Sequence, residues 1–316
     1  MVIESSPYLE HIRFEGKSGS NPRLRQGLSI PGSHAKFNAL PGIEREPPDP
    51  VIPLILKLAG LPVDAYRIAP LQRRLSACLR TLKAGSFQAA RQILAQNPEL
   101  LPNAVSSLLI GVSEFFRDRD VFNALQKIIT EDFAARQERI HVWSAGCSNG
   151  AELYSVAILL AEAGMLNRSF MVGTDCRQDA IQEAGSGIYR SCCVQQVTAP
   201  LLQKYFEAFE GRWRVARQLR WNIQWKVRNL LESLESGPWD IILWRNVAIY
   251  LEPASAEAVW KSLAKALSPG GILIVGKAER LPPSLGLSCI SRSIYRSNPN
   301  NSRNRIALKR RIETAE

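Results

Sequence analysis

Between Ala145 and Ala151 the chain reads Gly146-Cys147-Ser148-Asn149-Gly150. Residues of these types could make a thiol nucleophile or a small-residue cradle for a ligand. A cysteine nucleophile needs a base to form its thiolate, normally a histidine. The chain has His11, His34 and His141 as its 3 histidines. His141 opens the strand "RIHVWSA" that leads into the turn, so its side chain lies at the wrong end to reach Cys147. Cys147 therefore reads as a small residue that lets the chain turn tightly. The cradle has more behind it. A small-residue turn between a strand and its helix brings backbone N–H groups and a helix N-terminus to the carboxyl edge of a sheet, where open α/β folds bind ligands. Gly146 and Gly150 let the backbone approach a ligand closely. The next strand, "SFMVGTD", ends in Asp175, and a carboxylate there can accept hydrogen bonds from both hydroxyls of a ribose. Together these residues predict a cofactor containing adenosine.

The turn is G-x-x-x-G, not the dinucleotide G-x-G-x-x-G, and no G-x-x-x-x-G-K-[ST] exists for a nucleoside triphosphate. S-adenosylmethionine, a nucleoside with an amino-acid tail, needs no pyrophosphate site. The later "LSPGGILIV" fits it, because a Pro-Gly-Gly turn before the last strands is common in methyltransferases of this fold.

The elements that would position these residues alternate. After "RIHVWSA" comes the helix "ELYSVAILLAEAG", then "SFMVGTD" and the helix "RQDAIQEAGSG". Further on, "WDIILWRN" reads as a buried strand, "PASAEAVWKSLAKAL" as a helix, and "SPGGILIVG" as a turn and strand. Strands alternating with helices predict an α/β fold with a Rossmann-like, doubly wound, mostly parallel sheet. "GRWRVARQLRWNIQWKV" sets Trp213, Val215, Trp221, Ile223 and Trp225 at a period of two, which predicts a small antiparallel excursion at about 205–228. Ahead of the sheet, residues 51–111 turn helical. Leu71, Leu75, Cys78, Leu79 and Leu82 make one apolar face, Arg73, Arg74, Arg80 and Lys83 lie largely off it, and Ser86 is placed to cap the next helix. Residues 1–50, rich in Gly, Ser, Pro and Arg, read as a flexible leader and linker, and 299–316 as a basic tail. The catalytic domain would occupy 112–298.

The 316 residues allow one large domain or two smaller ones, and 46% hydrophobic residues suit a globular chain. No run of about 18 uncharged apolar residues could span a membrane, and the N-terminus lacks the basic start and apolar core of a signal peptide. The 6 cysteines have no metal-type spacing, so reduced thiols and a cytoplasmic location are expected. A net charge of +11 points to an acidic partner. Nucleic acid, anionic lipid and an acidic protein face would each satisfy it, and charge alone does not choose.

From about Val51 to Arg296 the chain resembles the chemotaxis receptor methyltransferases, the CheR family. The blocks that carry the resemblance are "SEFFRD", "VWSAGCSNGAELYS", "GTD", "AGSGIYR", "NLL" and "WRNVAIYL". The resemblance implies a cytoplasmic, class I protein-glutamate O-methyltransferase that uses S-adenosyl-L-methionine and releases S-adenosyl-L-homocysteine. Its partner would be an acidic helical region of a methyl-accepting receptor, met through Arg73, Arg74, Arg80 and Lys83, by a monomer, with no nucleic acid. Arg117 would reach the cofactor from the segment joining the domains, with Ser113 beside it. Gly146, Ser148 and Gly150 would surround the methionine portion, with Glu152 facing its amino-acid end. Asp175 would hold the ribose, Asn229 and Leu230 would flank the adenine, and Arg245 and Asn246 would close a strand beside the cofactor. Tyr250 would stand near the methyl-transfer site and, with Arg117, position the acceptor. The chain departs from the family's G-E-E-P-Y-S at Ala151 and Leu153, and "LIGVSE" lacks the usual Thr and Asn, while Glu279 is kept. Those departures give the rival expectation: a catalytically weakened scaffold or cofactor-sensing domain.

Overall fold

The computed structural model describes residues 50–109, 111 and 113–299. Except for Pro50 and Pro299, the expected leader and basic tail lie outside the described residues.

Four helices come first: α1 (Val51–Leu58), α2 (Ile68–Leu82), α3 (Phe87–Gln96) and α4 (Leu101–Leu108). On α2, Leu71, Cys78 and Leu82 are buried while Arg73, Arg80 and Lys83 are exposed and Arg74 is half-buried, as the spacing predicts. Ser86 Oγ accepts from the Ala89 amide at 3.2 Å and so starts α3. Helix α5 (Arg119–Ile128) follows and runs into a π-helical turn, Ile129–Phe133. The sequence reading did not identify either.

The main sheet then begins: β1 (Ile140–Ala145), α6 (Ala151–Glu162), β2 (Ser169–Asp175) and α7 (Gln178–Ser186). Next come β3 (Ile188–Tyr189), α8 (Ala199–Tyr205), β4 (Phe206–Phe209), β5 (Arg212–Val215) and the short α9 (Arg217–Arg220). The chain returns to the main sheet with β6 (Ile223–Val227), β7 (Trp239–Trp244), α10 (Pro253–Ala266), β8 (Leu267–Val275), β9 (Ser288–Ser291) and β10 (Ile294–Arg296). Its seven strands lie in the order β6-β2-β1-β7-β8-β10-β9. The first five are parallel to their neighbours, and β10 and β9 pair antiparallel. The expected doubly wound, mostly parallel sheet is present.

Alternate strand residues feed two cores. Val142, Met171, Ile241, Leu243 and Ile274 pack with α5 and α6. Trp143, Val172, Ile242, Trp244 and Leu273 pack with α10 and with Val51, Ile55, Leu71 and Leu108 of the first helices. The N-terminal helices thus share their core with one face of the sheet.

Two sequence expectations need correction. The antiparallel excursion is a three-stranded sheet of order β3-β5-β4, so its third strand comes from upstream, at Ile188–Tyr189. Ile223 and Trp225 belong instead to the parallel edge of the main sheet, paired with Met171 and Gly173. A period of two marks a strand without naming its neighbour. The partner is chosen by Trp225, whose ring lies where a Cβ on Gly173 would come within 2.3 Å and one on Gly150 within 2.6 Å. The second correction concerns Pro-Gly-Gly, which is not a turn ahead of the strand. It lies within β8, where the register against β7 shifts between Trp239 and Ile241.

Candidate active site

Four parallel strands deliver their carboxyl ends to one cavity of about 300 Å³, beside the point where the strand order reverses between β1 and β7. After β1 comes the turn Gly146–Gly150, and β2 ends in Asp175. Asn229 and Leu230 follow β6, and Arg245, Asn246 and Tyr250 follow β7. The segment before α5 contributes Ser113 and Arg117. All of these line the cavity except Asn149 and Gly150, as does Glu152.

Gly150 is the exception among the predicted site residues. It starts α6 at φ +82°, and a Cβ there would meet Trp225 at 2.6 Å and Ala184 at 2.8 Å. The glycine lets α6 pack on the sheet and does not admit a ligand. Gly146 does face the cavity, at φ +72°, and a Cβ there would meet Val247 at 2.7 Å.

The turn also differs from the expected amide cradle. Its N–H groups donate within the protein: Gly146 and Cys147 to Thr174 O, Gly150 to Cys147 O, Ser148 to Asp175 Oδ2 at 2.9 Å, and Ala151 to Asn149 Oδ1. What the turn offers a ligand is shape and the carboxylates behind it. Cys147 borders the cavity but is only 2% exposed, and burial, with the charges of Asp175 and Glu152 adding, pushes its thiol well above the ordinary range. That argues against a nucleophilic role.

Ala151 and Leu153, the two departures in this block, are both buried in the sheet's core, and neither lines the cavity. Glu152 between them does. Glu152 Oε1 accepts from Ser144 Oγ at 3.2 Å, and Oε2 from Arg245 Nη1 at 2.8 Å. Arg245, with its side chain 2% exposed, also bonds Asp118 at 2.6 Å and Arg117 O at 3.2 Å. Lys277 reaches Asp118 at 3.3 Å. This buried arginine ties β7 to α6 and to the Arg117 segment. It is thus a strut between two carboxylates, in addition to lining the wall.

The Arg117 segment is held from behind. Phe115 N donates to Cys193 O and Phe116 N to Ser155 Oγ, both at 3.0 Å. Phe115 packs edge-on to Tyr189 and Phe206. The loop after β7 is held by Glu279, a buried carboxylate that accepts from Gly276 N at 2.7 Å and from Asn246 N and Ala248 N at 3.0 Å. Burial raises its pKa against those donors. Phe116, Asp118, Ser148 and Asn246, none a glycine, all take positive φ. Such strained conformations gather at functional sites.

Sequence reasoning missed Tyr66, Glu114, Arg177 and Arg228 in the cavity wall. Tyr66 lies on the N-terminal helical region and pairs as an isolated bridge with Leu251. Flanking bonds run from Arg67 N to Tyr250 O and from Glu252 N to Ala65 O, each at 2.9 Å. Arg177 had a signal, its place two residues after Asp175 at the end of β2. Tyr66 had none, because its approach depends on tertiary packing.

Residues 111–292 match the family model described as "CheR methyltransferase, SAM binding domain". The chemotaxis protein methyltransferase of Vibrio anguillarum is 31% identical over 197 residues, 60% of this chain and 72% of the relative. Chemotaxis protein methyltransferase 2 of Pseudomonas aeruginosa is 31% identical over 237 residues, 71% of this chain and 83% of the relative. Among solved structures, the magnesium protoporphyrin IX methyltransferase of Synechocystis PCC 6803 with bound SAM is 18% identical. It covers 57% of this chain and 76% of its own, with a TM-score of 0.32.

Proposed function

The chain belongs to the CheR methyltransferase family, and from that premise we propose that it methylates glutamate side chains on a chemoreceptor-like signalling protein. It is a methyltransferase, and its cofactor is S-adenosylmethionine. The observation that carries the reading is the cavity at the carboxyl ends of the strands, with Asp175 and Glu152 in its wall.

The residues present fit the cofactor. The cavity volume lies at the low end of the range for small-molecule sites, roughly 300–1,000 Å³. Asp175 is an acceptor for a ribose, and Glu152 is an acceptor for an ammonium group. A turn most of whose amides are already bonded within the protein suits a cationic sulfonium better than a phosphate. Gly111, Ser113, Arg117 and Ser148 would enclose the amino-acid end, and Asn229 and Leu230 the adenine. When bound, the cofactor supplies a methyl group made electrophilic by the sulfonium.

The chain's own task is then alignment and exclusion of water. A glutamate acceptor is ionised at neutral pH, its free pKa being about 4.3, so no general base is needed. That agrees with a site whose cavity-lining thiol, Cys147, is almost wholly buried. Arg117 and Tyr250 would hold the acceptor carboxylate in line and strip its water. Exposed Arg73, Arg80 and Lys83 on the helical region, with half-buried Arg74 beside them, would steer it to an acidic helical receptor surface. In this reading 51–111 is the receptor-facing domain and 112–298 the catalytic one, acting as a cytoplasmic monomer. No helix among the described residues is long and apolar enough to cross a membrane. The rival scaffold reading rests on Ala151 and on the altered segment before Arg117; the burial of Ala151 in the core leaves Glu152 in the cavity wall and answers the first of these.

The test is calorimetric titration with S-adenosylmethionine and S-adenosylhomocysteine, beside Asp175→Ala, followed by transfer of labelled methyl to a receptor cytoplasmic fragment. Binding that the substitution abolishes, with base-labile label on glutamates, is the expected outcome. Absence of binding by the unaltered protein would end the proposal. Tyr250→Phe should retain cofactor binding and lose turnover, whereas Arg117→Ala should weaken cofactor binding and lose turnover. Full turnover in both would remove their assigned roles.

A further inference from the structure

The carboxylate assigned to the ribose is not open as it stands. Asp175 Oδ1 accepts from Arg177 N and Arg177 Nε, both at 3.0 Å. Oδ2 accepts from Ser148 N at 2.9 Å. Each carboxylate oxygen has two acceptor positions, so both on Oδ1 are filled and one on Oδ2 remains. That remaining position is approached by Arg177 Nη2 at 3.5 Å, the outer limit of a hydrogen bond. A carboxylate in this state can take one ribose hydroxyl well, and the second hydroxyl must find another partner.

Arg177 is placed to be that partner. Its side chain is 9% exposed, and it lines the same cavity. Nη2 carries two hydrogens. One is directed at Ser148 Oγ, 3.1 Å away, which itself donates to Gly111 O at 2.7 Å. The other is spent on the long contact with Asp175 Oδ2. A hydroxyl arriving between Oδ2 and Nη2 would donate its hydrogen bond to the carboxylate. Its neighbour would accept from the guanidinium in place of that long contact. The backbone bonds from Ser148 N and Arg177 N would hold Asp175 unchanged.

We infer that Arg177 is a cofactor-specificity residue: with Asp175 it reads the ribose diol as a donor–acceptor pair, Asp175 accepting from one hydroxyl and Arg177 donating to the other. This rests on the reading of the cavity as the S-adenosylmethionine site. It makes the diol recognition two-sided, with an acid on one hydroxyl and a guanidinium on the other.

The experiment is calorimetric titration of the full chain with S-adenosylhomocysteine and with its 2′-deoxy and 3′-deoxy analogues. It is repeated on Arg177→Met and Arg177→Gln, with thermal unfolding as the check on folding. The wild type should bind the parent and lose about 10- to 100-fold for each deoxy analogue, as for hydrogen bonds to charged groups. Both Arg177 variants should bind the parent more weakly. They should also stop discriminating against one deoxy analogue while still discriminating against the other, a pattern that a merely structural role for Arg177 would not produce. Two variants keep the test open if one fails to fold. Unchanged ratios for both analogues in a folded variant would overturn the inference alone. Failure of the wild type to bind the parent would overturn the site reading and the inference with it.

Discussion

At the scale of single residues, the site depends on how deeply each side chain is buried as much as on where it stands. Cys147 borders the cavity but is only 2% exposed. Burial holds its thiol protonated, so Cys147→Ala should leave methyl transfer close to wild type, and the native protein's Cys147 should resist iodoacetamide until unfolded. Loss of turnover in that variant without loss of folding would contradict it. Gly150 gives the opposite prediction. At φ +82°, with Trp225 and Ala184 in the way of a Cβ, Gly150→Ala should cost about 2–5 kcal/mol in denaturant unfolding, the sum of left-handed strain and overpacking. Trp225→Leu in the same chain should recover at most part of the packing loss, because the Ala184 contact remains. A glycine at this position looks like a ligand contact in the sequence, because the same residue type serves close backbone approach and close helix packing. Only the neighbour distinguishes them, and the neighbour here is far along the chain.

At the scale of elements, the order of strands and helices was legible because each carries its own pattern: apolar runs for the parallel strands, 3.6-residue faces for the helices, and a serine where α3 begins. Partnership was not legible. The strand at Ile223–Val227 was read correctly as a strand and placed in the wrong sheet, and α5 with its π-turn went unread. The ties between elements are side chains that no local pattern reveals. Asp240 is such a tie. It accepts from His141 N at 3.0 Å, Ser268 Oγ at 2.8 Å and Arg136 Nη1 at 3.2 Å, so β1, β7 and β8 start together. Burial opposes its charge, but the bonds from His141 and Ser268 and the charge of Arg136 outweigh it and hold its carboxyl below the ordinary aspartate range. A carboxylate lowered on folding stabilises above its unfolded pKa, and the contribution is lost as pH falls through the folded one. Asp240→Asn should therefore lower stability at pH 7 and flatten its decline from about pH 4 downward, read as denaturation midpoints against pH. An unchanged acid limb would mean that Asp240 is not the group being titrated.

For the molecule as a whole, the surface charge makes a kinetic prediction. If the exposed Arg73, Arg80 and Lys83 steer association with an acidic receptor, the on-rate should fall roughly tenfold or more as salt is raised well above physiological levels. Charge reversal at Arg73 and Arg80 should remove most of that dependence with little effect on cofactor binding. A salt-independent on-rate would assign the basic face to plain solvation. The cavity itself is a whole-molecule object as well. Its predicted lining came from residues at strand ends, which sequence order exposes, whereas Tyr66 enters from a helical region that shares a core with the far side of the sheet.

That shared construction bears on how the protein breathes. The isolated bridge between Tyr66 and Leu251, with its two flanking bonds, joins the helical region to the loop that carries Asn246 and Tyr250. Neither side can open its amides to solvent without releasing the other. In hydrogen exchange, Arg67 and Glu252 should report one opening event at one rate, although 185 positions separate them in the chain (252 − 67). A ligand that stills the loop should slow both amides together. The helices ahead of the sheet would then register cofactor occupancy as protection, on the same element that carries the basic face.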